Sequence, residues 1–139
     1  MSEEQAQQLL YQMQMMEGYL SELSQKEETI VSVIREASSA IQSLKTIDNK
    51  TDNETLTPVG LGTFIKTKVV PNEKLILNIG AGIAIEKDKD SAINFLELRL
   101  KEMQVALQET SNQKQQISAS LEQGKQQIEQ MLAASRSKK

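Results

Sequence analysis

An apolar heptad repeat occurs twice in this chain, over equal lengths, and the pair constrains the fold more than any other feature. Alternating steps of three and four pick out Ala6, Leu9, Met13, Met16, Leu20, Leu23, Glu27, Ile30, Ile34, Ala37, Ile41 and Leu44, of which only Glu27 is not apolar. A second run picks out Ile93, Leu96, Leu100, Met103, Leu107, Thr110, Lys114, Ile117, Leu121, Gly124, Ile128 and Met131, interrupted at Thr110, Lys114 and Gly124. Apolar residues every 3.5 positions keep one seam of a helix facing a partner. Each run covers 38 residue steps, from 6 to 44 and from 93 to 131, or about 57 Å of helix.

Equal lengths predict that the two runs pair with each other as an antiparallel coiled coil. Setting Leu44 opposite Ile93 pairs Ala6 with Met131, Met13 with Gly124 and Ile34 with Met103, so that every a position meets a d position. Glu27 then faces Thr110, with Lys114 one layer away. An ion pair there reads as a register pin, which sacrifices some stability as polar a positions do. A catalytic carboxylate–lysine pair would need a pocket, which a two-helix seam does not offer.

Between the runs the pattern changes. Both prolines (Pro58, Pro71) and four of the six glycines fall between residues 58 and 82, and the flanks carry no proline. Side chains there alternate with the period of strands. Ile65, Thr67 and Val69 share one face, following Phe64; Leu75, Leu77 and Ile79 share another; Ile83 and Ile85 fall together. With "TLTPV" in front, the expectation is four short strands in two hairpins, joined through "GLG" (60–62), "PNE" (71–73) and "GAG" (80–82). The glycine pairs resemble a phosphate-cradling loop only superficially. Such a loop needs a helix N-terminus behind its glycines, whereas Gly82 is followed by the strand-like Ile-Ala-Ile-Glu. Glycine here permits positive φ in tight connections. Asp88 or Asp90 is expected to cap the second helix, with Ser91 a weaker candidate.

The predicted class is therefore α+β: a helix over 1–48, two β-hairpins over 49–88, and a second helix with a basic tail over 89–139. Two hairpins alone are marginal in water and their edges invite further pairing. The start of the second helix, where Phe95 and Leu98 flank Ile93, Leu96 and Leu100, is apolar nearly all round and expects neighbours on every side. Oligomerisation through Phe64, Ile65, Val69, Leu75, Leu77, Ile79, Ile83 and Ile85 follows.

Composition narrows the function. Only 3% of residues are aromatic, so a narrow seam in an elongated molecule is expected instead of a round core. The net charge is −3, which leaves no basic footprint for a nucleic-acid backbone. The terminal "SRSKK" reads as a solvated helix end. There is no cysteine and no histidine, which removes disulfides, thiolate metal sites and the commonest general base. No signal peptide and no membrane span are expected, and no cofactor site. The default location is the cytoplasm. An enzyme is the least supported reading.

At the free ends of the helices, apolar residues again exceed the seam. Leu10, Tyr11, Met15 and Tyr19 lie outside the a and d positions, and Leu132 joins them near the C-terminus. Four of the six methionines (Met13, Met15, Met16, Met131) gather there, besides Met1. Methionine suits surfaces that accept many shapes. Gly18 and Gly124 weaken the helices nearby, each by about 1 kcal/mol relative to alanine. The segment reads either as a loosely packed coil end or as a contact surface for something flexible and apolar.

Two long helices around the phrases "LTPVGLGTFIK" (56–66) and "NIGAGIAIEKD" (78–88) closely resemble the alpha class of the archaeal prefoldin family, over essentially the whole chain. The glycine-bearing hairpin phrases carry the resemblance, and two hairpins suit the alpha class. The resemblance implies a heterohexamer of two alpha and four beta subunits, built on a β-barrel body from which coiled coils project. It implies an ATP-independent chaperone that holds non-native proteins at the coil tips and delivers them to a group II chaperonin. By position at the tip, the client contacts would be Leu9, Leu10, Met13, Met15, Met16, Ile128, Met131 and Leu132. The rival reading is a structural tether or filament-forming coiled coil of the same architecture.

Overall fold

The computed structural model describes residues 3–137; Met1 and the last two residues of the basic tail, Lys138 and Lys139, lie outside the described residues. The elements run α1 (Glu3–Lys45), β1 (Asn53–Gly60), β2 (Thr63–Val69), β3 (Leu75–Gly80), β4 (Ile83–Lys87) and α2 (Lys89–Ser137). Two compact units share the helices. One takes α1 through Ser32 and α2 from Met103; the other is Val33–Glu102 and holds the four strands.

In the first unit the expected seam is present. Its heptad positions on both helices, from Ala6 to Ile30 and from Met103 to Met131, are all buried or half-buried, while most polar positions between them face solvent. Met13 meets Gly124, with the sulfur 3.0 Å from where a β-carbon on Gly124 would stand. Lys114 Nζ donates to Glu27 Oε1 at 3.2 Å. Both contacts reproduce the expected register. Thr110, the layer facing Glu27, is almost completely buried, and its hydroxyl donates to the Ala106 carbonyl one turn back at 2.8 Å. That bond removes the cost of an unpaired hydroxyl in the seam.

In the second unit the heptad positions from Ile34 to Leu44 and from Ile93 to Leu100 are buried or half-buried. Ala92 is fully buried, and the Arg99 guanidinium lies over the half-buried Phe95 ring, 5.9 Å from its centroid. The start of α2 is capped by Asp88, whose Oδ1 accepts from the Ser91 amide at 2.8 Å while its carbonyl accepts the first helical bond from Ala92. Asp90 and Ser91 are inside the helix. The loop that follows α1 is tied to the start of α2 by Lys89, whose ammonium donates to the Ile47 carbonyl at 2.8 Å.

The strands form two separate antiparallel sheets, β1–β2 and β3–β4. Both hairpins close through the same device. Leu61 and Gly62, and likewise Ala81 and Gly82, have positive φ at the two central turn positions, as a type I′ connection requires. Each register slips by one residue just before its turn, between Pro58 and Gly60 and between Asn78 and Gly80, so both hairpins carry a bulge at matching places. Between them, Pro71 and Asn72 make a type II turn with Asn72 at φ 61° and the Glu73 amide bonded to the Val70 carbonyl.

Candidate functional site

The strands leave much of their apolar surface uncovered. One face of each hairpin is half-buried, at Thr55, Thr67 and Val69 and at Leu75, Leu77 and Ile85. Thr67 bonds across the pair to the hydroxyls of Thr55 and Thr57, and Leu77 stands directly opposite Ile85. Phe64, Ile65, Ile79 and Ile83, expected to bury in an assembly, are exposed in the isolated chain. So are Leu56, Val59, Leu61, Val70 and Ile76, which the alternation did not single out. Every strand has one paired edge and one free edge. Exposed apolar side chains and open strand edges therefore occur together on both hairpins.

The helix ends in the first unit present a second apolar surface. Of the eight residues expected to act as client contacts, five are seam residues: Leu9, Met16, Ile128 and Met131 are half-buried and Met13 is 7% exposed. Met13 is therefore occupied with Gly124 while the coil is closed. The other three face solvent: Leu10 at 50%, Met15 at 61% and Leu132 at 54%. Tyr11 (64%) and Tyr19 (46%) are as open as these, although the expected contact set omitted them. Their signal was the spacing 11, 15, 19, which places three side chains on one helix face. Tyr11 walls a shallow depression completed by Glu4, Gln7, Gln8 and Gln12, all on α1.

Electrostatics do not mark a reactive centre. The Ser91 amide and hydroxyl hold the Asp88 carboxyl below the usual carboxylate range. The Lys50 amide and Thr51 hydroxyl do the same for Asp48. Both carboxylates have backbone work: Asp48 closes the α1–β1 loop, with Asn53 bonded back to its amide and carbonyl. Among the described residues no group of three or more His, Cys, Asp or Glu side chains could hold a metal ion, and no helix is long and apolar enough to cross a membrane.

Comparison with known proteins shows the family and the fold. The model of the family described as "Prefoldin subunit" matches residues 16–134. A protein of Nitrosopumilus maritimus described as prefoldin subunit alpha is 52% identical over 134 residues, covering 96% of this chain and 92% of its own. The prefoldin subunit alpha of Pyrococcus horikoshii is 34% identical over 108 residues, covering 73% and 70%. Among solved structures, the prefoldin beta subunit from Thermococcus strain KS-1 superposes with a TM-score of 0.68 at 16% identity, covering 92% of each chain. A filamentous PFD from Methanocaldococcus jannaschii gives 0.51 at 20% identity, covering 94% and 98%. These two likenesses concern the fold.

Proposed function

Because this chain belongs to the prefoldin family, in its alpha class, we infer that it is a chaperone subunit that works by binding alone, holding non-native proteins without ATP. The observation that carries this reading is apolar surface that the chain's own fold does not cover, in a molecule whose coiled-coil seam is already complete. Leu10, Met15 and Leu132 stay in solvent although every seam position beside them is filled. Exposed clusters of this kind normally mark interaction sites.

The two surfaces divide the work. The hairpins, through Phe64, Ile65, Val69, Leu75, Leu77, Ile79, Ile83 and Ile85, join other prefoldin subunits, two alpha with four beta, in a β-barrel body. Their free edges and exposed faces support that assignment. The helix ends contact clients, with Leu10, Met15 and Leu132 available in the closed coil and Leu9, Met13, Met16, Ile128 and Met131 offered when it opens. One such end buries little and releases quickly. Several on one assembly raise the effective concentration of the next contact, so avidity far exceeds single-site affinity. Transfer of clients to a group II chaperonin in the cytoplasm completes the proposal.

Co-expression with a beta-type subunit, followed by mass measurement and an aggregation assay with unrelated clients, tests it. A closed hexamer that suppresses aggregation without nucleotide is expected. Open-ended assembly by light scattering, or no protection of any client, would overturn the reading.

A further inference from the structure

The chain carries its sulfur as thioether alone, with six methionines and no cysteine. Besides Met1 they lie on the two helices, and they differ in cover. Met15 is 61% exposed, Met16, Met103 and Met131 are half-buried, and Met13 is 7% exposed. Met13 is covered through a gap in the opposite helix. Gly124 has no side chain, and the Met13 sulfur, γ-carbon and ε-carbon stand 3.0, 3.1 and 3.6 Å from where a β-carbon there would be. The thioether fills the place of the missing side chain in its layer.

The layers on either side are apolar. By the register that the Met13–Gly124 contact fixes, Leu9 and Ile128 form the layer toward the free ends, and Met16 and Leu121 the next layer inward. Leu121 is buried and the other three are half-buried. The Gly124 amide lies in the interior of α2, where its hydrogen is taken by the carbonyl four residues back. A reduced methionine sulfur suits these neighbours, since it is a weak acceptor that packs as an apolar atom. A sulfoxide oxygen does not. It is polar and adds volume where the seam is already filled, and a buried acceptor left without a donor destabilises the state that buries it.

Peroxide chemistry supplies such an oxygen. The thioether lone pair attacks one oxygen of hydrogen peroxide, and the S–O bond forms as the O–O bond breaks. Sulfur gives up two electrons; the hydroxide released takes the proton of the transferred hydroxyl and leaves as water. Met13 lies near the free end of α1, which begins at Glu3, and helix ends open locally at low free energy. The oxidant reaches the sulfur during such openings, and the product then resists reclosure.

We propose that Met13, seated over Gly124, is an oxidative modification site whose sulfoxide holds this end of the coil open. Oxidation by a hydroperoxide bares Leu9, Met16, Leu121 and Ile128, and a methionine sulfoxide reductase restores the closed seam. Met15 oxidises sooner because it already stands in solvent, but its sulfoxide stays in water and leaves the seam shut. The switch belongs to the coil itself and stands whether or not the chain holds clients.

The test treats the full-length protein with hydrogen peroxide, locates the sulfoxides by peptide mass, and follows amide exchange over residues 6–20 and 117–131. Met15 gains oxygen first and Met13 more slowly. Exchange over both segments rises severalfold in step with Met13 and not with Met15, and stays unchanged over the strands. It returns to the starting rate after treatment with the sulfoxide reductases for both epimers and a thiol. Met13→Leu keeps an apolar side chain in the layer, and peroxide leaves its exchange unaltered. Met15→Leu/Met16→Leu/Met103→Leu/Met131→Leu, which retains Met13, opens as the wild type does. Opening that persists in Met13→Leu, a Met13 sulfoxide with both segments still protected, or a Met13 left unoxidised after Met15 is complete overturns the proposal. So does exchange already unprotected before peroxide, because no closed end would then be there to open.

Discussion

Leu61 is the residue most at odds with its conformation. It sits at the first central position of the β1–β2 turn with φ 45°, fully exposed. Left-handed backbone costs a residue with a β-carbon roughly 1–2 kcal/mol, a cost that Asn, the preferred residue here, largely avoids. Leu61→Asn is therefore expected to steady the hairpin in the isolated chain by about 0.5–1 kcal/mol, read by amide exchange over residues 57–66. In the assembled complex the same change is expected to weaken association, because a leucine held in that conformation and in solvent needs a partner to cover it. Asp88 gives the pH dependence. Its pKa is lowered by the Ser91 bonds, so its capping contribution is complete above the ordinary carboxylate pKa of about 3.9. It is lost only as pH falls through the depressed value. Thermal melts of Asp88→Ala should lie below wild type at neutral pH and converge with it in acid. Asp88→Asn keeps a capping oxygen and should sit between them without the acid dependence.

At the scale of elements, the two irregular seam layers do opposite things. Glu27 and Lys114 are each less than one-third exposed and 3.2 Å apart, a geometry in which desolvation offsets most of the attraction. Glu27→Leu/Lys114→Leu is expected to stabilise the coil by about 1 kcal/mol or more while relaxing its register. Disulfide capture in a Met13→Cys/Gly124→Cys background would read that relaxation as a lower yield of the in-register bridge. The Met13–Gly124 layer stabilises through shape, a long flexible side chain entering the space of a missing one. In Gly124→Ala the new methyl would meet the Met13 sulfur at 3.0 Å and its γ-carbon at 3.1 Å. Helix propensity favours alanine by about 1 kcal/mol, and methionine has the torsions to yield. A net gain of about 0.5 kcal/mol in chemical denaturation is the expected outcome; a loss would show that Met13 is locked. The seam, the strands and the turns were all legible in the sequence, because heptad and two-residue periods are repeated local signals that average over single exceptions such as Glu27. The choice of Asp88 over Asp90 as cap was left open, since either side chain is competent and only the helix start discriminates between them.

For the molecule as a whole, the main fact is how little of its apolar surface it covers by itself. Hairpin residues Leu56, Phe64, Ile65, Ile76 and Ile83 are all more than half exposed in the lone chain, and each would contribute roughly 1.5–3 kcal/mol on full burial. The isolated chain should bind a hydrophobic dye strongly and associate as concentration rises. Adding a beta-type subunit should quench most of that signal, leaving a remainder from the exposed helix-end residues Leu10, Met15 and Leu132. A lone chain that stays monomeric and dye-silent would contradict the interface assigned to the hairpins.

Sequence periodicity alone determined which residues zip the two helices together and where the chain turns, because a seam and a hairpin each need only the right residue type at the right spacing. It did not separate the apolar residues at the helix ends into covered and open ones. That was decided in three dimensions, where Gly124 makes room for Met13 and closes over it while, among the described residues, Met15 is left 61% exposed. Exposure is a property of what stands opposite, and for a residue on a helix the opposite neighbour belongs to a different part of the chain.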